Sequence, residues 1–277
     1  MGSQEPFLIN TIENGLRILR FNRPKKYNAF NGDMYNSFME ALLEAGADPK
    51  TVITVVTGTG KYFSSGNDLG TFMKAEEEEP SSSVSDSIDP DTDEGKIALL
   101  RKKGVNRFEK LINVLIDFPK PLIAVVNGPA VGIGVTILPL VDVVYASDRA
   151  TFLTPFVKSA LSPEGCSSYL LPRIMGPGKA AEMLLFNKKI TAADAKNYGL
   201  VTEVYPHENL HEVWPMIREW TKLPPNSLHN AKALISSHKR DFLKKVNQKE
   251  CDQLALTLSG GEFITNVMEF LNKKSKL

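Results

Sequence analysis

Two glycine-bearing turns, each following an apolar run, carry the chemistry this chain could do. The first is Phe63-Ser64-Ser65-Gly66-Asn67-Asp68-Leu69, after the strand-like Val52-Ile53-Thr54-Val55-Val56. The second is Asn127-Gly128-Pro129-Ala130-Val131-Gly132-Ile133-Gly134, after Leu122-Ile123-Ala124-Val125-Val126. A strand-to-helix turn can aim a backbone N–H at one point. Two that converge make an oxyanion hole, which stabilises charge developing on a carbonyl oxygen. A third segment could supply the proton transfer: Ser162-Pro163-Glu164-Gly165-Cys166-Ser167. It reads as a helix start, with Ser162 as N-cap, Pro163 at the first helical position and an acid in the first turn. An acid there more often serves the helix dipole than catalysis. The preceding Phe152-Leu153-Thr154-Pro155-Phe156-Val157 is largely apolar. A carboxyl in such surroundings has a raised pKa, which suits a general base.

Other arrangements are weaker. Gly58-Thr59-Gly60-Lys61 lacks the gap and the hydroxyl residue of a phosphate loop, and Gly128, Gly132 and Gly134 do not fit G-x-G-x-x-G. His207 and His211 lie four apart without the acid that would make a metal motif, so no metal site is expected. Cys166 has no His nearby in sequence and reads as a buried structural thiol.

Around these motifs the chain alternates strand and helix, the pattern of an α/β fold with parallel pairing. Residues 7–12 and 16–21 flank Asn14-Gly15 as a hairpin. Residues 32–46 place Met34, Phe38, Ala41, Leu42 and Ala45 on one helical face. Residues 75–95 lack apolar content and read as a loop, placed to act as a flap. Residues 96–117 predict a helix, Leu122–Val126 a strand, 131–138 a short helix and 141–146 a strand. Beyond about residue 178 helical patterns dominate, over 178–186, 191–197, 208–222, 227–239 and 241–257.

The 277 residues carry 33 Lys+Arg against 32 Asp+Glu, a net charge of +1 that gives no basic field for nucleic acid. Two cysteines are too few for a disulfide framework. No apolar run reaches the length of a membrane span. The terminal Ser275-Lys276-Leu277 reads as a peroxisomal import signal, with an import receptor as its partner.

Several separated motifs in one order resemble the crotonase (enoyl-CoA hydratase/isomerase) superfamily. They are Asn22-Arg23-Pro24 with Asn28-Ala29-Phe30, Phe63 to Leu69, Lys120 to Gly128, Ile190 to Ala195, and Gly199-Leu200-Val201. The resemblance implies the crotonase (ClpP-like) α/β fold of repeated ββα units with a C-terminal helical region. Residues 1–200 would form the spiral core with the acyl-CoA site. Residues 201–277 would form the helical region for oligomerisation, as trimer or hexamer, ending in the targeting tail.

By position, the resemblance assigns the oxyanion N–H donors to Asn67 and Ile133. It places an acyl-CoA thioester against Ser64, Ser65, Gly66, Asn67, Asp68, Leu69 and Gly132, with Phe156 in the apolar lining. Lys25, Lys26 and Ala29 would help hold CoA, which is part of the substrate, so no separate cofactor is expected. Hydratases of the family carry two glutamates at positions held here by Thr136 and Phe156. Glu164 remains, as in the family's peroxisomal-type Δ3,Δ2-enoyl-CoA isomerases. The implied activity is conversion of 3-enoyl-CoA to trans-2-enoyl-CoA in fatty-acid β-oxidation, with Glu164 carrying the proton from C2 to C4. A dienoyl-CoA isomerase, a thioesterase or a non-catalytic acyl-CoA-binding protein are the alternatives. The implied location is the peroxisomal matrix, with an additional mitochondrial form left open.

Overall fold

The computed structural model describes residues 6–68, 92, 105–263, 265 and 266. The loop expected over 75–95 (Thr92 apart), the first part of the helix expected over 96–117 (residues 96–104), Leu69 and the tail Ser275-Lys276-Leu277 lie outside the described residues.

The chain opens with strands β1 (Leu8–Glu13) and β2 (Leu16–Phe21), an antiparallel hairpin in the register Leu8↔Phe21 to Glu13↔Leu16. Asn14 and Gly15 at its tip both take positive φ, as an Asn-Gly turn demands. Helix α1 (Gly32–Ala47) follows. The Asn31 side chain caps it by accepting from the Met34 N–H at 3.0 Å, and Met34, Phe38, Ala41, Leu42 and Ala45 form its buried face. Strand β3 (Ile53–Gly58), helix α2 (Asn106–Asp117) and strand β4 (Leu122–Val126) come next. β3 and β4 are buried along their whole lengths, which is why β4 reads as an unbroken apolar run and β3 as an apolar one interrupted only by Thr54 and Thr57 before Gly58.

The segment expected as one helix over 131–138 is more broken. A two-residue strand, β5 (Ala130–Val131), precedes helix α3 (Ile133–Thr136), and Leu138–Leu140 tightens into a 3₁₀ turn. Strands β6 (Val143–Ser147) and β7 (Thr151–Leu153) are followed by helices α4 (Ser167–Met175) and α5 (Pro177–Leu184). Strand β8 (Ile190–Thr191), helix α6 (Ala192–Asn197) and strand β9 (Glu203–Tyr205) lead to helices α7 (Val213–Trp220), α8 (Pro225–Ser237) and α9 (Arg240–Leu258).

These strands form one six-stranded sheet, ordered β1-β2-β3-β4-β6-β9 and parallel from β2 onward, and one three-stranded sheet, β5-β7-β8. One face of the large sheet packs on α1, α2 lies against α1, and α9 lies against α2. The other face, with Val55, Ile123 and Val125, is covered by Val213 and Ile217 of α7. β9 extends the large sheet past residue 200, because Tyr145, Ala146 and Ser147 pair with residues 203–205.

The hairpin is tied to the end of α1 by Arg17, which is only 4% exposed. Its Nε donates to Thr51 Oγ1 at 2.9 Å, Nη1 to Asn10 Oδ1 and Glu44 Oε1, and Nη2 to Asp48 Oδ2 at 2.7 Å. The Lys50 N–H and the Arg17 and Thr51 side chains hold Asp48 at a pKa of about 2, below its ordinary 3.8. Arg17→Ala is expected to cost about 2 kcal/mol in urea unfolding at pH 7, since one buried and three half-buried hydrogen bonds go together. A depressed carboxyl contributes stability above its unfolded pKa and loses it as pH falls through the folded one. The gap between wild type and variant should therefore narrow from pH 3.8 towards about 2.

Candidate active site

The first glycine turn is anchored by a cluster of aromatic rings. Phe21 meets Phe30, Phe38 and Phe63 edge-on, with centroids 5.0, 5.1 and 5.4 Å away. With Phe30 fixed, its backbone fixes the turn. The Phe30 N–H donates to the Gly66 carbonyl and its own carbonyl accepts from the Asp68 N–H, each at 2.8 Å. This parallel bridge engages the peptide groups on both sides of Asn67, so the Asn67 N–H points away from Phe30. The Ser64 hydroxyl is taken up inside the turn, donating to the Asn28 carbonyl and accepting from the Gly66 N–H.

The second turn is pressed against the first. The Val131 N–H donates to the Ser64 carbonyl at 2.9 Å, and the Phe63 N–H to the Pro129 carbonyl at 3.1 Å. Gly66, at φ +87°, leaves no room for a side chain: a Cβ there would stand 3.0 Å from the Val131 carbonyl oxygen. The Gly132 N–H is bound to the Leu153 carbonyl at 2.9 Å, which sets the start of α3 at Ile133. As the first residue of a helix, Ile133 has no intrahelical acceptor for its N–H. Among the described residues nothing accepts a hydrogen bond from the N–H of Asn67 or of Ile133.

Glu164 does not stand inside a helix start, as the sequence suggests. Ser162 is not an N-cap: α4 begins at Ser167, five residues later. Gly165 and Cys166 both take left-handed conformations, φ +68° and +62°, which breaks the helix before it can include Glu164. Gly165 is required for a second reason, because a Cβ there would meet Thr136 Oγ1 at 2.7 Å. The turn drives the Glu164 side chain inward, leaving it 3% exposed. It lines a cavity of about 40 Å³ together with Asn67, Phe156 and Leu161, and with Leu254, Leu258 and Phe263 from the C-terminal end of the described chain.

Burial among these apolar groups, reinforced by the negative charge of Glu250, pushes the Glu164 carboxyl up to about 8. The opposing contact is weak, a Thr136 hydroxyl at 3.5 Å. Thr136 and Phe156, the positions where the resemblance would place hydratase glutamates, thus both border Glu164 and supply no second acid. Tyr35 of α1 donates to Asn67 Oδ1 at 2.6 Å, and the Glu164 charge, after burial, helps raise its phenol well above 10.

The remaining sequence-selected residues are distributed around the first turn. Lys25 and Lys26 are exposed on a 3₁₀ turn, Pro24–Lys26, and Ala29 is buried with its carbonyl bound by Arg23. Ser65 donates its N–H to the Tyr27 carbonyl, and Asp68 pairs with Arg23 at 3.0 Å. Ile133 is not in the cavity lining; the Ser64–Val131 contact ties its turn to the turn that carries Asn67. Cys166 is fully buried, and burial pushes its thiol up to about 12, the state of an inert structural thiol. Among the described residues no cluster of three or more His, Cys, Asp and Glu could hold a metal ion, and no helix is long and apolar enough to cross a membrane.

Sequence reasoning did not find Tyr35, Leu161, Leu254, Leu258, Phe263 or Glu250. Only Glu250 left a signal, as an acid on the apolar face shared by Leu243, Cys251 and Leu254.

Comparison with known proteins identifies the family. The chain is 47% identical over 271 residues to human enoyl-CoA delta isomerase 2, covering 98% of this chain and 64% of that protein. It is 45% identical to mouse enoyl-CoA delta isomerase 3, peroxisomal, covering 97% and 79% of the two chains. The chain thus spans under two thirds of the human relative's length. Among solved structures, an enoyl-CoA hydratase/isomerase from Pseudoalteromonas atlantica superimposes with a TM-score of 0.82 at 28% identity, covering 96% of this chain and 97% of that one. The sequence profile of the enoyl-CoA hydratase/isomerase family matches residues 11–276, and the chain belongs to that family.

Proposed function

We propose that this chain is a Δ3,Δ2-enoyl-CoA isomerase that uses one carboxyl group as both base and acid. The observation that carries the reading is Glu164, the one carboxyl among the described residues that line an apolar cavity also holding Asn67. The two relatives named as enoyl-CoA delta isomerases support it.

In this reading the substrate is a 3-enoyl-CoA thioester whose carbonyl oxygen accepts from the N–H groups of Asn67 and Ile133. Ionised Glu164 takes a proton from C2. The electron pair spreads over a dienolate, and its negative oxygen is stabilised by the two N–H groups. Protonated Glu164 then returns the proton to C4, leaving the double bond between C2 and C3. A carboxyl with a pKa of about 8 is a stronger base than an ordinary one and keeps the proton long enough to deliver it. The apolar wall excludes the water that would otherwise quench the dienolate. Lys25, Lys26 and Ala29 would hold the CoA portion, with Ser65, Gly66 and Leu69 along the thioester. No cofactor takes part.

We place the activity in β-oxidation of unsaturated fatty acids in the peroxisomal matrix, supported by the mouse relative's name and by the Ser275-Lys276-Leu277 tripeptide. We further propose that the acyl-CoA site, expected within residues 1–200, takes part of its apolar wall from Leu254, Leu258 and Phe263, and that residues 201–277 also contribute to assembly as a trimer or hexamer. Exposed Phe186, Leu234 and Ile235, 76%, 67% and 64% accessible in the single chain, support a surface covered by another copy.

Three outcomes check the reading. Glu164→Gln should cut isomerase kcat at least ~10²-fold in a 3-enoyl-CoA assay while substrate affinity holds, and near-wild-type turnover would refute the base. In wild type, kcat/KM should rise with pH and level off above about 8, because the base must be ionised in the free enzyme. The folded state also binds the Glu164 proton more tightly than the unfolded state, so this group's contribution to stability falls between pH 4.5 and about 8. Glu164→Gln should therefore melt at a higher temperature than wild type near pH 8, with the difference shrinking towards pH 4.5 in calorimetry.

A further inference from the structure

Glu250 is a buried carboxylate for which the proton transfer has no direct use, and it sits where the catalytic turn joins α4. Its Oε2 accepts from the Cys166 N–H at 2.6 Å, and its Oε1 from the Ser168 N–H at 2.9 Å and the Ser168 hydroxyl at 2.5 Å. Cys166 is the second of two left-handed residues immediately after Glu164, a conformation that a side chain with Cβ adopts rarely. A backbone held in such a region persists only when its surroundings over-determine it, and the Glu250 bonds to residues 166 and 168 supply that determination. The carboxylate also fills the open N-terminus of α4, where a negative charge is favoured. Its own helix is anchored independently: Asn247 donates to the Glu109 carbonyl and to Asn113 Oδ1 of α2. Leu254 and Leu258, one and two turns on from Glu250, line the Glu164 cavity. One helix thus brings both the apolar wall and the clamp.

We propose that Glu250 is a positioning residue for the reaction: it pins the turn that aims Glu164 into the cavity and holds a negative charge behind it. This rests on the reading of Glu164 as the base. The groups that face Glu164 are Tyr35 and Thr136 from α1 and α3, with Glu250 behind it. Those around Glu250 are Glu164 and Cys166 on the turn, Ser168 and Tyr169 on α4, and Lys245 and Lys249 along its own helix. Burial raises the Glu250 carboxyl itself, opposed by its bonds from Ser168 and Cys166; where Glu250 is ionised, removing its charge takes away a repulsion that disfavours ionised Glu164, so Glu164 should become more acidic.

The test is Glu250→Gln, nearly isosteric and uncharged, beside wild type. The Glu164 carboxyl is titrated directly by 13C NMR in the unliganded protein, and kcat and KM are measured on 3-enoyl-CoA. The midpoint should fall by roughly half a pH unit or more. The acid limb of kcat/KM should move with it, and kcat should drop roughly 10-fold with KM changed by less than about twofold. An unchanged midpoint together with unchanged kcat in a folded variant would overturn the proposal. Amide exchange in wild type gives a reading that does not depend on the variant's folding. The Cys166 and Ser168 N–H groups should exchange slowly, and exchange at the rate of exposed loop amides would overturn the clamp. Slow Cys166 and Ser168 exchange in a protein without isomerase activity would support the clamp and count against Glu164 as an isomerase base.

Discussion

A carboxyl group enclosed by leucine and phenylalanine side chains holds its proton far more tightly than one in water, because its charged form has lost its solvation. That cost must be met by the rest of the fold, and much of this structure is arranged around it. The turn carrying Glu164 contains two left-handed residues, lies against Thr136 through a glycine with no room for a Cβ, and is bound behind by Glu250. The wall in front comes from α9, whose Cys251, Ala255 and Leu258 are built into the main core. A group placed at such cost is a poor choice for stability alone. It is a sensible one for a base that must take a weakly acidic proton and return it.

The second requirement is a place for negative charge, and the same logic of unfilled valence applies to the backbone. The parallel bridge at Phe30 leaves the Asn67 N–H pointing outward, and the helix that opens at Ile133 leaves another. Neither depends on side-chain identity. What they need is close approach of two chain segments, which Gly66 permits by lying against the Val131 carbonyl, and a rigid support, which the Phe21, Phe30, Phe38 and Phe63 cluster provides. Tyr35 links the two requirements, since its hydroxyl binds the Asn67 side chain while its ring packs edge-on to Phe30.

Local signals made much of this legible in the sequence. The Asn14-Gly15 hairpin, the capped face of α1 and the apolar run of β4 all follow from spacing and turn chemistry within a few residues. Glu164 was legible because an acid followed an apolar segment. The helix start was misplaced because Ser162-Pro163 has the composition of a cap, whereas long-range contacts to Thr136 and Glu250 impose the left-handed turn. The cavity wall was illegible for the same reason. Leu254 and Leu258 belong to an ordinary apolar helical face, and nothing nearby in sequence says which partner that face will meet. β5, β7 and β8 are two or three residues long, too short to show a period.

The central claim is that one carboxyl carries the proton from C2 to C4. Its most direct test is a single-turnover reaction of 3-enoyl-CoA deuterated at C2, followed by mass-spectrometric location of the label in the 2-enoyl-CoA product. The account predicts that a measurable share of the deuterium reaches C4 in wild type. Label that never reaches C4, with the hydrogen there drawn wholly from solvent, would contradict it and require a second acid that this cavity does not show among the described residues.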